Sequence, residues 1–323
     1  LSKEYKKRIV DYMFREYKEG RTPNPDILCN KEIKFDVFLS KAQSLGADYI
    51  ATGHYCRKKE SKKGNKTIYK LIQGKDKTKD QSYFLCQLNQ IQLSKVLFPI
   101  GDLKKTSVRK IAKENGLITA NKKDSQGLCF VGKIKLPEFL QQKLKIKKGK
   151  IIKLAPDKKI FTKVFENNNT ENLLKNSVKK YKFSESDGEM IGYHDGAHFF
   201  TIGQRKGLQL GGFKNPLFVI EKDIQKNIIY VGEGKNHPGL YRKGLLIRDN
   251  DINWLRPDLE ISLNSSEKIL ARIRYRQPLK PAEIFRSQEG IYLIFDKKQK
   301  AISSGQFAAW YIGNELIGSG VIY

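Results

Sequence analysis

The sequence predicts an α/β part followed by an all-β part, and three observations carry that division. Apolar side chains recur at helical spacing over 3–19 and 35–45, and a short apolar run at 49–51 follows the second of these stretches. From His198 onward, short β-branched and aromatic runs alternate with Gly, Asn and Pro turns. With 323 residues the chain is long enough for two or three domains, each with its own core.

The first helix presents Tyr5, Ile9, Tyr12, Met13 and Tyr17 on one side and meets a stop at Gly20. Phe35, Phe38, Leu39, Ala42 and Leu45 repeat that pattern up to Gly46, and Tyr49-Ile50-Ala51 then leads into Thr52-Gly53-His54. Helix, tight turn, buried strand and a polar turn at the strand's carboxyl end make one unit of an α/β sheet, where ligands usually sit. A further helix is predicted from about Ser107 to Asn115, ahead of Gly116. Residues 155–187 are rich in Lys, Asn, Ser and Asp and read as a solvated insertion or mobile loop. The runs HFFTIG, PLFVIE, NIIYVG, KILARIRYR, GIYLIFD and AAWYIG have the spacing of an antiparallel barrel or sandwich. The expected division is an α/β part over 1–135, a central stretch over 136–208 and an all-β part over 209–323.

The 62 Lys and Arg against 34 Asp and Glu give a net charge of +28, which asks for a polyanionic partner. Nucleic acid fits best, because each phosphate neutralised releases counterions. Part of the excess is Lys, which base composition of the genome also enriches. No run of about 18 apolar residues and no signal peptide occurs, so the expectation is a soluble, cytoplasmic protein with no membrane partner. The cysteines Cys29, Cys56, Cys86 and Cys129 include no CxxC pair, and no bound metal is expected. In a reducing compartment a disulfide among them would be transient and catalytic.

The stretch GRTPNPDILCNKEIKF holds Cys29 behind two prolines. Pro23 and Pro25 fix φ and keep Thr22 and Asn24 extended, while Asp26 and Asn30 are candidate caps of the helix that follows. A thiol near a helix start feels the positive end of the dipole, which favours its thiolate; a buried inert cysteine is the plainer alternative. Cys129 follows the polar, glycine-containing DSQG loop in KKDSQGLCFVG. One thiol on a rigid turn and another on a flexible loop are able to exchange through a disulfide.

Together GRTPNPDILCNKEIKF, ATGHY, KDQSYFL, FPIGDLKK, KDSQGLCFVG, FTIGQRKGL, ARIRYRQP and SSGQFAAWY resemble, in the same order and over nearly the whole chain, the bacterial tRNA-specific 2-thiouridylases of the MnmA/TrmU family. The resemblance implies a Rossmann-like α/β domain of the PP-loop ATP pyrophosphatase type, then a small central domain and an antiparallel β-barrel that binds tRNA. It implies sulfur transfer to the wobble uridine of tRNAs for Lys, Glu and Gln: ATP, with Mg2+, adenylates the C2 oxygen and a cysteine persulfide delivers sulfur to C2. By motif match Cys129 carries the persulfide, Cys29 is the nucleophile, and a transient Cys29–Cys129 disulfide ends the turnover. Asn24, Pro25 and Asp26 lie against the target base, and Asp26 is placed to relay a proton. Gly53 lies against ATP; His54, Lys79, Asp80, Gln81, Arg274, Tyr275 and Gln306 contact tRNA. The implied partners are tRNA and a sulfur-donor protein, either a cysteine desulfurase or a relay protein, and the implied state is a monomer.

Two departures stand beside the resemblance. The family's SGGVDSSV-type loop, which cradles ATP pyrophosphate, does not occur in the sequence, so the α/β domain is expected to be incomplete and the chain to begin late. The polar stretch at 155–187 replaces a short glycine-rich connection. Two other classes remain: another adenylating enzyme of the superfamily, such as an argininosuccinate or GMP synthase, which lacks the cysteine pair and the basic β tail, and a tRNA-binding module without catalysis.

Overall fold

The computed structural model describes residues 1–122, 136–162 and 170–323. Its first helix runs through three consecutive segments, Ser2–Tyr5, a π-helical stretch at Lys6–Val10, and Asp11–Lys18. Tyr5, Ile9, Met13, Phe14 and Tyr17 are buried along one side, as the 3.6-residue period requires. Gly20 ends it at φ +73°, with its N–H on the Tyr17 carbonyl.

The second helix begins earlier than the apolar pattern suggests. Pro25–Leu28 forms its first turn, Cys29–Phe38 continues it in π-helical form, and Leu39–Ser44 completes it before Gly46. Asn24, not Asp26 or Asn30, is the cap: its side-chain oxygen accepts from the Ile27 N–H at 3.3 Å, with Pro25 pre-set at the first helical position. Asp26 lies in the first turn. Asn30 is buried inside the helix, where its amide donates to the Phe84 carbonyl at 2.9 Å.

Among the described residues the strands form three sheets. Ile50–Ala51 pairs in parallel with Val96–Leu97, the pairing an α/β unit predicts. A four-stranded sheet takes the order Glu189–His194, Gly149–Leu154, Ile228–Glu233, Leu217–Asp223. Ile228–Glu233 pairs with Gly149–Leu154, and Leu217–Asp223 pairs with Ile228–Glu233, so this sheet continues past residue 208. Within the polar stretch, the helix Thr170–Val178 lies against the strands Tyr241–Arg248 and Gly290–Lys300.

The large sheet holds the C-terminal strands Glu315–Val321, Phe307–Ile312, Ser266–Arg272, Lys280–Ser287, Gly290–Lys300 and Tyr241–Arg248 in that spatial order. Tyr323 donates its N–H to the Leu246 carbonyl at 2.9 Å, returning the chain end to the far strand and curling the sheet round its core of Leu245, Ile284, Leu293, Phe295 and Trp310. A hairpin from the α/β part, Cys56–Lys63 with Lys66–Gln73, adds to this sheet through Ile72 opposite Glu315 and Leu71 opposite Leu316. The charged RKKE stretch conceals that hairpin in the sequence, because its outer end is exposed and carries no apolar alternation. The helix expected near 107–115 spans Lys105–Glu114.

Candidate catalytic and RNA-binding site

Cys29 is the fifth residue of its helix and is fully buried among Tyr5, Ile9, Met13, Phe14, Ile33 and Leu140. The field of a helix start falls off within its first turn, and Cys29 comes just behind that turn. An encounter with a second sulfur therefore requires this cluster to open. Cys129 lies outside the described residues. The described chain resumes at Leu136–Gln141, whose Leu140 packs in the Cys29 cluster.

Cys56 and Cys86 sit in a different cluster, with Leu71, Tyr83 and Leu85, and both are fully buried. Burial pushes the Cys86 thiol up to about 12 and the Cys56 thiol well above its ordinary range. Both are packing thiols.

Gly53 is exposed in the loop after Ile50–Ala51. A Cβ there would meet only the Ile100 Cδ1, at 3.9 Å, so nothing in the protein itself demands glycine. The open backbone at a strand's carboxyl end suits a ligand that lies against it. His54, next in sequence, shares a 2.9 Å hydrogen bond between its Nδ1 and Thr52 Oγ1. Its ring stands between Phe35 at 6.1 Å and Phe98 at 6.3 Å. Desolvation, with a smaller push from the Lys34 ammonium, lowers the imidazole to about 3. Between that value and the ordinary 6.5 the unfolded chain binds the additional proton, so His54 makes stability fall as pH drops through that window. The expected result of an NMR titration is a neutral His54 from about pH 8 to 5; a midpoint near the ordinary value contradicts this packing.

The KDQ triplet divides. Asp80 faces inward, 3 % exposed. Its carboxylate accepts from Gln73 Nε2 and the Gly74 N–H, both at 3.0 Å, from the Ser82 N–H and hydroxyl, and from Arg272 at 2.8 Å. Its side chain thus faces Gln73, Gly74, Ser82 and Arg272 inside the protein. Gln81 accepts the Tyr55 N–H through its side chain and donates its own N–H to the Tyr55 carbonyl, both at 2.9 Å, which locks it beside His54. Arg272 donates to Asp80, Ser82 and the Tyr311 hydroxyl, a buried ionic network joining this loop to the barrel.

Arg274 and Tyr275 lie on the loop after Ser266–Arg272, not within a strand. Arg274 is exposed and donates to the Ala301 carbonyl at 2.5 Å. Tyr275 packs its ring 4.4 Å from that of Phe84 and sets its hydroxyl toward the Lys79 carbonyl. Gln306 donates its amide to the carbonyls of Thr22 at 2.8 Å and Pro23 at 3.3 Å. Phe84 is thus a hub, since its ring meets Tyr275 while its carbonyl receives Asn30 from the Cys29 helix. The structure therefore gathers Asn24–Cys29, His54, Lys79, Gln81, Tyr275 and Gln306 from five separate stretches through contacts of these residues or their neighbours. Sequence reasoning missed Phe84, Arg272 and the Thr22 contacts. The only local hint was the apolar SYFL run, because each contact crosses a separation that no spacing rule reaches. Among the described residues no group of metal-ligating side chains comes together, and no helix is long and apolar enough to cross a membrane.

Three family models match the chain: a tRNA methyl transferase HUP domain over residues 1–133, a tRNA methyl transferase PRC-barrel domain over 172–233 and an aminomethyltransferase beta-barrel domain over 244–322. A protein of Christiangramia forsetii named tRNA-specific 2-thiouridylase MnmA is 57% identical over 323 residues, covering 100% of this chain and 82% of its own length. A Flavobacterium johnsoniae protein of the same name is 55% identical with the same coverage. One from Chlamydia trachomatis serovar D is 41% identical over all of this chain and 78% of its own length.

Proposed function

The chain belongs to the tRNA-specific 2-thiouridylase family, and from that premise we propose that it carries out ATP-dependent 2-thiolation of the wobble uridine in tRNAs for Lys, Glu and Gln. The C2 oxygen of uracil is a poor leaving group. It attacks the α-phosphorus of ATP, pyrophosphate departs, and the oxygen becomes part of an adenylate. The terminal sulfur of a Cys129 persulfide then attacks C2, and AMP leaves with the oxygen. Attack of the Cys29 thiolate on the Cys129 sulfur breaks the bond to the transferred sulfur, releases 2-thiouridine and leaves a Cys29–Cys129 disulfide. An external dithiol reduces that disulfide, and a cysteine desulfurase or a sulfur relay protein reloads Cys129. Asp26, in the first turn of the Cys29 helix, is the candidate proton relay beside a base held at Asn24 and Pro25. The open backbone at Gly53 is the candidate contact for ATP, and Mg2+ would accompany the nucleotide. Lys79, Gln81, Arg274 and Tyr275 would hold the tRNA, with the protein acting as a cytoplasmic monomer.

The observation that carries this reading is the contact chain from the Cys29 helix through Asn30 and Phe84 to Tyr275 and Lys79. It sets the thiol-bearing helix beside a surface of cations and aromatic rings suited to unstacked RNA. With a net charge of +28, tRNA affinity is expected to fall at least about tenfold between about 50 and 200 mM salt. A flat salt profile in a filter-binding assay contradicts a phosphate-dominated interface. The function itself is tested by incubating the protein with tRNA, ATP and a persulfide source, then measuring nucleosides by mass spectrometry. ATP-dependent 2-thiouridine is the expected product; tRNA bound without any thiouridine would leave a binding module.

A further inference from the structure

We propose that the segment Ala301–Gln306 is the positioning element for the turn at Thr22–Asn24, and through it for the helix start that bears Asp26 and Cys29. The inference rests on the reading of that helix start as the thiolation site. It assigns Gly305 and Gln306 to holding the protein's own loop.

The turn is poor in self-anchoring groups. Pro23 and Pro25 have no N–H, so between Thr22 and Pro25 only two backbone donors exist, and the loop must be held from outside. The C-terminal segment supplies that hold at several points. The Thr22 N–H donates to the Ser304 carbonyl at 2.8 Å. The Gln306 amide returns its donors to the Thr22 and Pro23 carbonyls. Between these bonds the two backbones pack directly. Gly305 has φ +87°, and a Cβ on it would come within 2.9 Å of the Thr22 nitrogen and 3.0 Å of its carbonyl carbon and oxygen. Glycine is required there for its backbone conformation and for the close approach. Thr201 Oγ1 meets Thr22 Oγ1 at 3.2 Å from the middle unit.

The platform is itself fixed. Ala301 donates its N–H to the Leu240 carbonyl at 2.7 Å, and Gly305 donates to Ile322 at 2.9 Å. Gln306 accepts from the Ile322 N–H at 2.8 Å. The exposed Arg274 guanidinium holds the Ala301 carbonyl, so the RNA-facing loop of the barrel ends on the same platform. A loop pinned by a rigid platform keeps the Asn24 cap, and hence the helix direction, in one orientation. A displacement of about 1 Å at a reacting group is enough to cost about 10²-fold in rate.

The test is Gln306→Glu, which keeps the size but replaces the donor by a carboxylate facing two carbonyls. Expected is a fall in the thiolation kcat, measured at saturating tRNA, of about 10²-fold. In the protein without tRNA, alkylation of Cys29 by N-ethylmaleimide, followed peptide by peptide, should quicken about tenfold while Cys56 and Cys86 keep their rates. Gly305→Ala should move both readouts in the same direction; if it does not fold, Gln306→Glu carries the test alone. A raised tRNA Kd with kcat and Cys29 alkylation unchanged would make Gln306 a direct RNA contact and overturn the proposal. If Cys29→Ser still thiolates tRNA, the reading of that helix start as the thiolation site fails, while the alkylation rates in the protein with Cys29 present still report whether the platform holds the loop.

Discussion

Replacing Cys29 by Ser is expected to lower 2-thiouridine formation by about 10³-fold or more while leaving tRNA affinity within about twofold. Serine fits the volume left among Ile9, Met13 and Ile33, but its hydroxyl cannot attack a persulfide at neutral pH or close a disulfide. Cys129→Ser should be as damaging, since the proposed mechanism puts the sulfane sulfur on that atom. Cys56→Ala and Cys86→Ala serve as controls, because both thiols lie in the separate cluster around Leu71 and Tyr83 and are pushed toward the neutral form by burial. Nucleosides quantified by mass spectrometry, alongside filter binding of tRNA, give the readout. A fully active Cys29→Ser protein would remove Cys29 from the chemistry.

The largest expected loss of stability comes from Asp80→Ala. Asp80 and Arg272 are 2 % and 5 % exposed at their side chains and 2.8 Å apart, and the guanidinium has no water to fall back on. Removing one partner of a buried ion pair typically costs about 3–5 kcal/mol, because the remaining charge is left uncompensated. Asp80 also accepts from the Gly74 and Ser82 N–H groups, so the truncation strands donors as well. Urea unfolding should show that cost, and Arg272→Met should show a comparable one. Combined, the two substitutions should destabilise by less than the sum of the single ones, since each already removes the same interaction. A loss under about 1 kcal/mol for Asp80→Ala would mean that water reaches the pair. The same substitution should weaken tRNA binding indirectly, by freeing Lys79 and Gln81.

Much of this architecture was legible in the sequence, for reasons that are local. The helix over residues 2–18 follows from the period of Tyr5, Ile9, Met13 and Tyr17, and its end from Gly20, whose positive φ other residues adopt only at a cost. The β-branched runs from Leu217 onward declared their strands in the same way, whereas HFFTIG, expected as a strand, holds a 3-10 turn at Ala197–Phe199 and no strand. The start of the second helix was hidden because Ile27 and Cys29 precede the regular apolar repeat, and because Asn24 caps it where Asp26 and Asn30 were the expected caps. The hairpin at 56–73 was hidden by its charge. In the site, motif matching named Asp80 and Gln306, but only three-dimensional packing reveals that Asp80 points inward to Arg272 and that Gln306 reaches Thr22 across a separation of 284 residues. No periodicity encodes such contacts; they arise when separate sheets and helices close on one another.

The most direct test of the account is a single turnover with persulfide-loaded protein, ATP and unmodified tRNA, quenched by acid and mapped for both thiouridine and disulfides. The account predicts one Cys29–Cys129 disulfide for each 2-thiouridine formed, with Cys56 and Cys86 still reduced. Thiouridine accumulating without that disulfide, or a turnover disulfide joining Cys56 to Cys86, would contradict it.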